Sequence, residues 1–227
     1  MLLILLKLAG LALTVASCWL ASLSPAHSAL SLALIWVAPL FTIPLSIAGR
    51  KSLDAAPTKE RAEWATVIVH YGIGIALGAG ILPAVLAAQR SSGIGVPFPR
   101  RLGYTLFIAA SIVLSLTVVN LAVRGFGAPF AAKLSSRLAT EWMYAWTRNP
   151  MGLATFAWFF SIGLRYQSLW FLIWLVLIVT PAWVFFVKTY EERELEIRFG
   201  SGYLAYKART PLFWPRRPRS VTMPQPR

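Results

Sequence analysis

The chain has 227 residues with 22 Lys and Arg against 8 Asp and Glu, a formal net charge of +14, and 57% of it comes from the apolar set, giving a mean hydropathy of +0.63. Soluble domains are far less apolar, and here the charges are kept out of long apolar runs, so composition excludes a water-soluble globule and indicates a membrane protein. The single cysteine, Cys18, excludes an intrachain disulfide and a cysteine-rich metal site, and the excess positive charge lies in loops and tail, where anionic lipid headgroups rather than nucleic acid are the expected partner.

In chain order, apolar runs fall at roughly 2–24, 29–48, 65–88, 102–123, 150–166 and 168–187. A helix rising ~1.5 Å per residue needs about 20 residues to cross a ~30 Å hydrocarbon core. The expected fold class is therefore all-α, a polytopic membrane helix bundle of about six spans. The fifth run is short and is parted from the sixth only around Gln167, so these two are expected to form a tight helical hairpin whose first arm does not cross fully. The first run, with Lys7 near its start and Ala26-His27-Ser28-Ala29 behind it, also has the outline of a signal peptide; it is long for an h-region and is read as a span.

Gly72, Gly74, Gly78 and Gly80 in the third run are expected to form one small-residue packing face. His70 and Asn120, polar inside apolar runs, are expected to be hydrogen-bonded interior residues. Only four of the 22 basic residues, Arg90, Arg100, Arg101 and Arg165, fall on one side of the expected topology, which predicts that both termini are cytoplasmic. Three regions follow: four spans over 1–123, a polar-rich region over 124–215, and a basic, proline-rich tail over 216–227. That tail is expected to be disordered and to lie against anionic headgroups.

The spans carry no Asp or Glu, which argues against an ion transporter built on intramembrane carboxylates. Polar groups converge after Arg124, in two segments. In the first, Tyr144 to Pro150, Asn149 is a good N-cap and Pro150 suits the first helical turn, so a helix starts there. Its free N–H groups beside Arg148 make a site for a carboxylate or phosphate, or else Trp142, Tyr144 and Trp146 form only an interfacial aromatic anchor. In the second, Glu191, Glu192, Glu194 and Glu196 directly follow a span. They bind an ammonium or sulfonium ligand, or merely pair with Arg193 and Arg198 along a solvated face. An anion site and a cation site on one face suit a positively charged zwitterion such as S-adenosylmethionine.

At these residues the chain resembles the integral-membrane methyltransferases that include isoprenylcysteine carboxyl methyltransferase and the phospholipid N-methyltransferases. The resemblance covers about the last 100 residues and rests on Arg148-Asn149-Pro150, Glu191-Glu192, Leu195, Phe199-Gly200, Tyr203, Tyr206, Pro211 and Pro215, with Gly125 to Phe130 leading up to them. It implies that S-adenosylmethionine is held by Leu138, Ala139, Tyr144, Asn149, Pro150, Glu191, Tyr203 and Tyr206. It further implies Arg148 and Glu192 on the reacting side, no metal, and methyl transfer to a lipophilic small molecule or lipid whose reactive group is a carboxylate, amine or thiol. Three positions depart from the family's pattern. Asn149 stands where a histidine is usual, Gly152 where a tyrosine is common, and Val187 where the isoprenylcysteine enzymes carry an arginine for the substrate carboxylate. The competing expectation is a catalytically silent membrane scaffold of the same fold.

Overall fold

The structure is a computed structural model that describes residues 2–23, 28–90, 95, 97–125, 127 and 135–217. The described residues form α1 (Leu2–Leu23), α2 (Ala29–Ala55), α3 (Lys59–Arg90), α4 (Arg100–Gly125), the single turn α5 (Met143–Trp146), α6 (Pro150–Arg165), α7 (Leu169–Phe199) and α8 (Ser201–Arg209). The chain is thus all-α, and α1, α2, α3, α4 and α7 are long and apolar enough to cross a membrane. Of the stretch read as a cleavage site, Ala26 and His27 lie outside the described residues while Ser28 caps α2 and Ala29 begins it, and the end of the tail, 218–227, also lies outside them.

The expected six spans resolve into five full-length helices and one short partner. α6 has 16 residues, about 24 Å of rise, because Pro150 fixes its start and a turn at Gln167, with φ at 53°, ends it. It runs antiparallel along α4. A Cβ on Gly103, near the start of α4, would lie 2.8 Å from the Arg165 backbone. Midway, the Trp158 indole Nε1 donates to Ser111 Oγ at 3.0 Å, and at the far end the Met143 amide, just ahead of α6, donates to Asn120 Oδ1 at 3.1 Å. Wherever α4 is immersed, α6 accompanies it.

The four glycines of α3 do not make one face. A Cβ on Gly78 would meet Cys18 of α1 at 2.7 Å and one on Gly80 would meet Pro39 of α2 at 2.7 Å, while Gly74 looks toward Thr14 and Gly72 toward Leu45. Residues 74 and 78, four apart, admit α1, and residues 72 and 80 admit α2, so α3 is packed closely on two sides. Two apolar clusters then bind α2, α3 and α7. Near one end Ile35, Ile81, Ala84, Ala88, Phe171, Trp174 and Leu175 pack together, and the Trp174 indole donates to the Ile35 carbonyl at 3.0 Å. Near the other, Leu53, Ala62, Ala65, Val69, Phe186, Val187 and Tyr190 do so.

α7 is not a uniform α-helix. Pro181 has no N–H to give its preceding turn, and the helix widens just before it into a π turn, Leu175–Val179. A second π turn, Val187–Glu191, ends on the first residue of the glutamate run. Such turns frequently accompany functional sites because they re-aim side chains without ending the helix. His70 behaves as expected of an interior residue: its Nδ1 lies 3.0 Å from the Thr66 carbonyl and its ring meets Phe186 and Tyr190 edge-on. After α7 the chain reverses at Gly200, with φ at +54° and ψ at −131°, a conformation that costs an L-residue far more than glycine. The reversal brings α8 back beside the start of α6.

Candidate functional site

The polar residues gather where α2, α4 and α7 end and α3 and α6 begin. Asn149 caps α6: its Oδ1 accepts from the Gly152 amide at 3.0 Å, with Pro150 in the first turn. The same side chain reaches across the hairpin, and its Nδ2 donates to Glu191 Oε2 at 3.3 Å. The positive end of one helix and a carboxylate of another are thereby joined through a single amide.

The four glutamates that follow the last span separate clearly. Glu192 is paired with the Arg148 guanidinium, with Lys207 Nζ at 2.8 Å and with the Tyr203 hydroxyl at 3.2 Å. Buried Glu194 is paired with Arg198 at 2.6 Å, and Glu196 with Lys207 at 3.1 Å and Arg193 at 3.5 Å. Among the described residues, half-buried Glu191 has no cationic partner, and its one hydrogen bond comes from the neutral amide of Asn149. A carboxylate taken from water without a counter-ion is costly, and the cost falls when a cation is supplied.

Arg148 is the centre of a latch. Besides Glu192, its guanidinium donates to the carbonyls of Lys207 at 3.0 Å and Thr210 at 2.5 Å, and its own amide donates to the Pro211 carbonyl at 2.8 Å. Thr147 Oγ1 donates to the Leu212 carbonyl at 2.8 Å, and the Arg216 amide to the Trp146 carbonyl at 3.0 Å. The segment after α8 is therefore laid along residues 146–149 through position 216, one residue into the stretch read from sequence as the tail. The Tyr206 hydroxyl donates to the Tyr144 carbonyl at 2.6 Å.

Burial pushes the phenols of Tyr203 and Tyr206 well above their ordinary value; for Tyr144, burial and then the negative charge of Glu191 act the same way. All three stay protonated near neutral pH, and the Tyr203 and Tyr206 hydroxyls serve as donors, not bases. Burial works against the charge on Lys207, but its bonds to Glu192 and Glu196 hold its pKa above the usual lysine value, so it stays cationic in the latch.

Ahead of α5 the backbone is strained at Trp142, with φ at 53° and ψ at −118°. The end of α4 holds this turn in place: Arg124 pairs with Glu141 at 3.1 Å and lies 5.0 Å over the Trp142 ring, and Asn120 accepts from Met143. The turn aims the Tyr144 carbonyl at Tyr206. Leu138 and buried Ala139 lie on the approach to this turn, three and four residues after Ser135, whose carbonyl accepts from Arg198 of α7. Part of the 125–130 motif, residues 126 and 128–130, lies outside the described residues.

The structure thus draws Tyr144, Arg148, Asn149, Pro150, Glu191, Glu192, Tyr203 and Tyr206 into one cluster, with Leu138 and Ala139 on its approach. Sequence reasoning missed Lys207, Thr147 and Thr210, which bind across gaps of 11 to 65 residues with no local pattern to announce them. It also missed Trp183. A Cβ on Gly152 would collide with the Trp183 indole and with Asn149 Oδ1, so the ring missing at 152 is matched by one from the facing arm of the hairpin. Gly152→Tyr is expected to destabilise the protein by about 1–3 kcal/mol through overpacking. In a Trp183→Ala background the same change is expected to cost at least about 1 kcal/mol less, as a double-mutant cycle of unfolding in mixed micelles will read. Additive penalties would show that the two positions do not share a space.

Residues 99–202 match the sequence model of the family described as phospholipid methyltransferase, a stretch that runs from the start of α4 to the start of α8. Comparison with curated proteins and with solved structures gives no match. The match begins at the helix that α6 lies along and takes in both arms of the hairpin, Asn149 and all four glutamates. Over that stretch the chain is similar to the phospholipid methyltransferase family, while Tyr203, Tyr206, Lys207 and Thr210 lie just beyond the matched residues.

Proposed function

We propose that this integral-membrane protein transfers a methyl group from S-adenosylmethionine to a lipophilic acceptor. The observation that carries the reading is Glu191: a half-buried carboxylate, unmatched by any cation among the described residues, one amide away from the N-terminus of α6. The ligand's amino group suits Glu191, and its carboxylate suits the helix end beside Asn149 and Pro150. The donor set fits the group without a metal. When bound, S-adenosylmethionine supplies an electrophilic methyl that passes to an acceptor lone pair as its S–C bond breaks to leave a neutral thioether.

The chain's own residues supply alignment, which is the main requirement of such a displacement. Asn149 fixes the start of α6 against Glu191. Arg148 and Glu192, with every strong contact made inside the protein, act as a positioning pair that lays the segment after α8 across the site, and Tyr203 and Tyr206 lock it there. Val187 is buried among Leu53, Val69 and Tyr190, so no guanidinium meets an acceptor carboxylate at that position. This favours a lipid amine or a thiol as acceptor over a prenylcysteine carboxylate.

Calorimetric titration of the detergent-purified chain with S-adenosylmethionine and with its demethylated product tests the reading. Saturable binding at about one ligand per chain is expected. A folded protein that binds neither would be the silent scaffold instead.

A further inference from the structure

The end of the bundle away from the methyl-transfer site has its own charge and its own cleft. All eight acidic residues of the chain, Asp54, Glu60, Glu63, Glu141, Glu191, Glu192, Glu194 and Glu196, lie at the site end. The far end carries Arg90, Arg100, Arg101 and Arg165 and no acid. There Gln89, Arg100, Tyr104, Arg165 and Tyr166 line a cleft of about 290 Å³.

The cleft is built, not merely charged. The Arg165 guanidinium lies 4.4 Å from the centroid of Tyr104 and 4.7 Å from that of Tyr166, and donates to the Tyr104 hydroxyl at 3.1 Å. Arg100 is held by donation from its Nε to Gln167 Oε1 at 3.2 Å, and Gln167 is itself fixed by donating to the Phe98 carbonyl at 2.8 Å. Two guanidiniums are therefore oriented by neutral partners and face one cleft, and among the described residues neither meets a carboxylate. Pro99, the residue ahead of α4, gives that helix no side-chain cap, so its amides add positive potential at the same place. Planar guanidinium forks held this way match phosphate oxygens in pairs.

We infer that this cleft binds the phosphate of an anionic phospholipid in the leaflet opposite the methyl-transfer site. A lipid is favoured over a soluble anion because Leu102 and Leu106, one turn apart and both exposed, run along α4 from the cleft toward the middle of the bundle, where acyl chains attached to that phosphate would lie. No acid lies at this end to pair a choline ammonium, and Arg165 already covers the Tyr104 and Tyr166 rings that would otherwise hold one, so a net-negative headgroup is preferred to a zwitterionic one. The inference does not depend on the methyltransferase reading.

The test follows the thermal unfolding midpoint of the full chain, in a non-ionic detergent, against added dihexanoyl phosphatidylglycerol, dihexanoyl phosphatidylcholine and inorganic phosphate. Phosphatidylglycerol is expected to stabilise saturably and the other two weakly. Arg165→Gln and Arg100→Gln should each raise its half-saturating concentration at least tenfold while leaving the lipid-free midpoint in place. Should Arg165→Gln fail to fold, Arg100→Gln decides, since Arg100 is exposed and gives up only its contact with Gln167. Unchanged half-saturation in the variants would assign the lipid effect to the basic tail and overturn the site. Inorganic phosphate matching the lipid would make the cleft a free-anion site and overturn the lipid assignment.

Discussion

Glu191→Ala is expected to weaken S-adenosylmethionine binding at least about 100-fold, a loss of about 2.7 kcal/mol, with the fold retained. Removing a carboxylate that no cation among the described residues uses leaves no orphaned charge behind, so the protein gives up affinity and not stability. Glu196→Ala is the matched control. Glu196 belongs to the same run but is paired with Lys207 and Arg193 on a partly exposed face, and its loss should change the dissociation constant by less than about threefold. Calorimetry on the two variants decides the matter: equal effects would mean that the glutamate run is a solvated face and that no ligand subsite lies within it.

The second large effect concerns stability. Arg148→Met removes a guanidinium whose side chain is only 9% exposed, opposite a Glu192 side chain only 11% exposed, and frees the carbonyls of Lys207 and Thr210. Breaking one side of a buried pair in this way costs about 3–5 kcal/mol, to be read as the unfolding free energy in mixed micelles. Lysine should not substitute, because one ammonium cannot reach a carboxylate and two carbonyls as the fork does. Combining Arg148→Met with Glu192→Leu is expected to recover part of the loss, since Glu192 is then no longer left buried with Lys207 alone as its cation. A double variant no better than the single one would locate the cost in the two freed carbonyls.

How much was legible in the sequence depended on the range of the interaction. Helix existence follows from run length, and the start of α6 follows from a local rule, Asn before Pro, which the structure meets with the Asn149–Gly152 cap. The Arg193–Glu196 and Arg198–Glu194 pairs sit at helical spacing and were open to the same reasoning. What set Glu191 apart was not, because its distinction lies in the partners that its neighbours find: Arg148 is 44 residues from Glu192, and Lys207 lies across the reversal at Gly200. The glycines of α3 were read as one face for a related reason. Spacing shows that they are small but not that α1 and α2 approach from different sides. Gly152, read from sequence as a missing ring, takes its meaning from Trp183, which no neighbouring residue foretells.

The latch also has a history in time. The acceptors for Arg148 at Lys207 and Thr210 lie 59 and 62 residues downstream. At a translation rate of about 5–20 residues per second, Arg148 is made roughly 3–12 s before they exist. Through that interval the start of α6 carries a cation destined for burial and no acceptors to receive it, so the helix end must wait hydrated at the membrane surface. The latch is therefore the last part of the site to close, since its acceptors are made only after both arms of the hairpin.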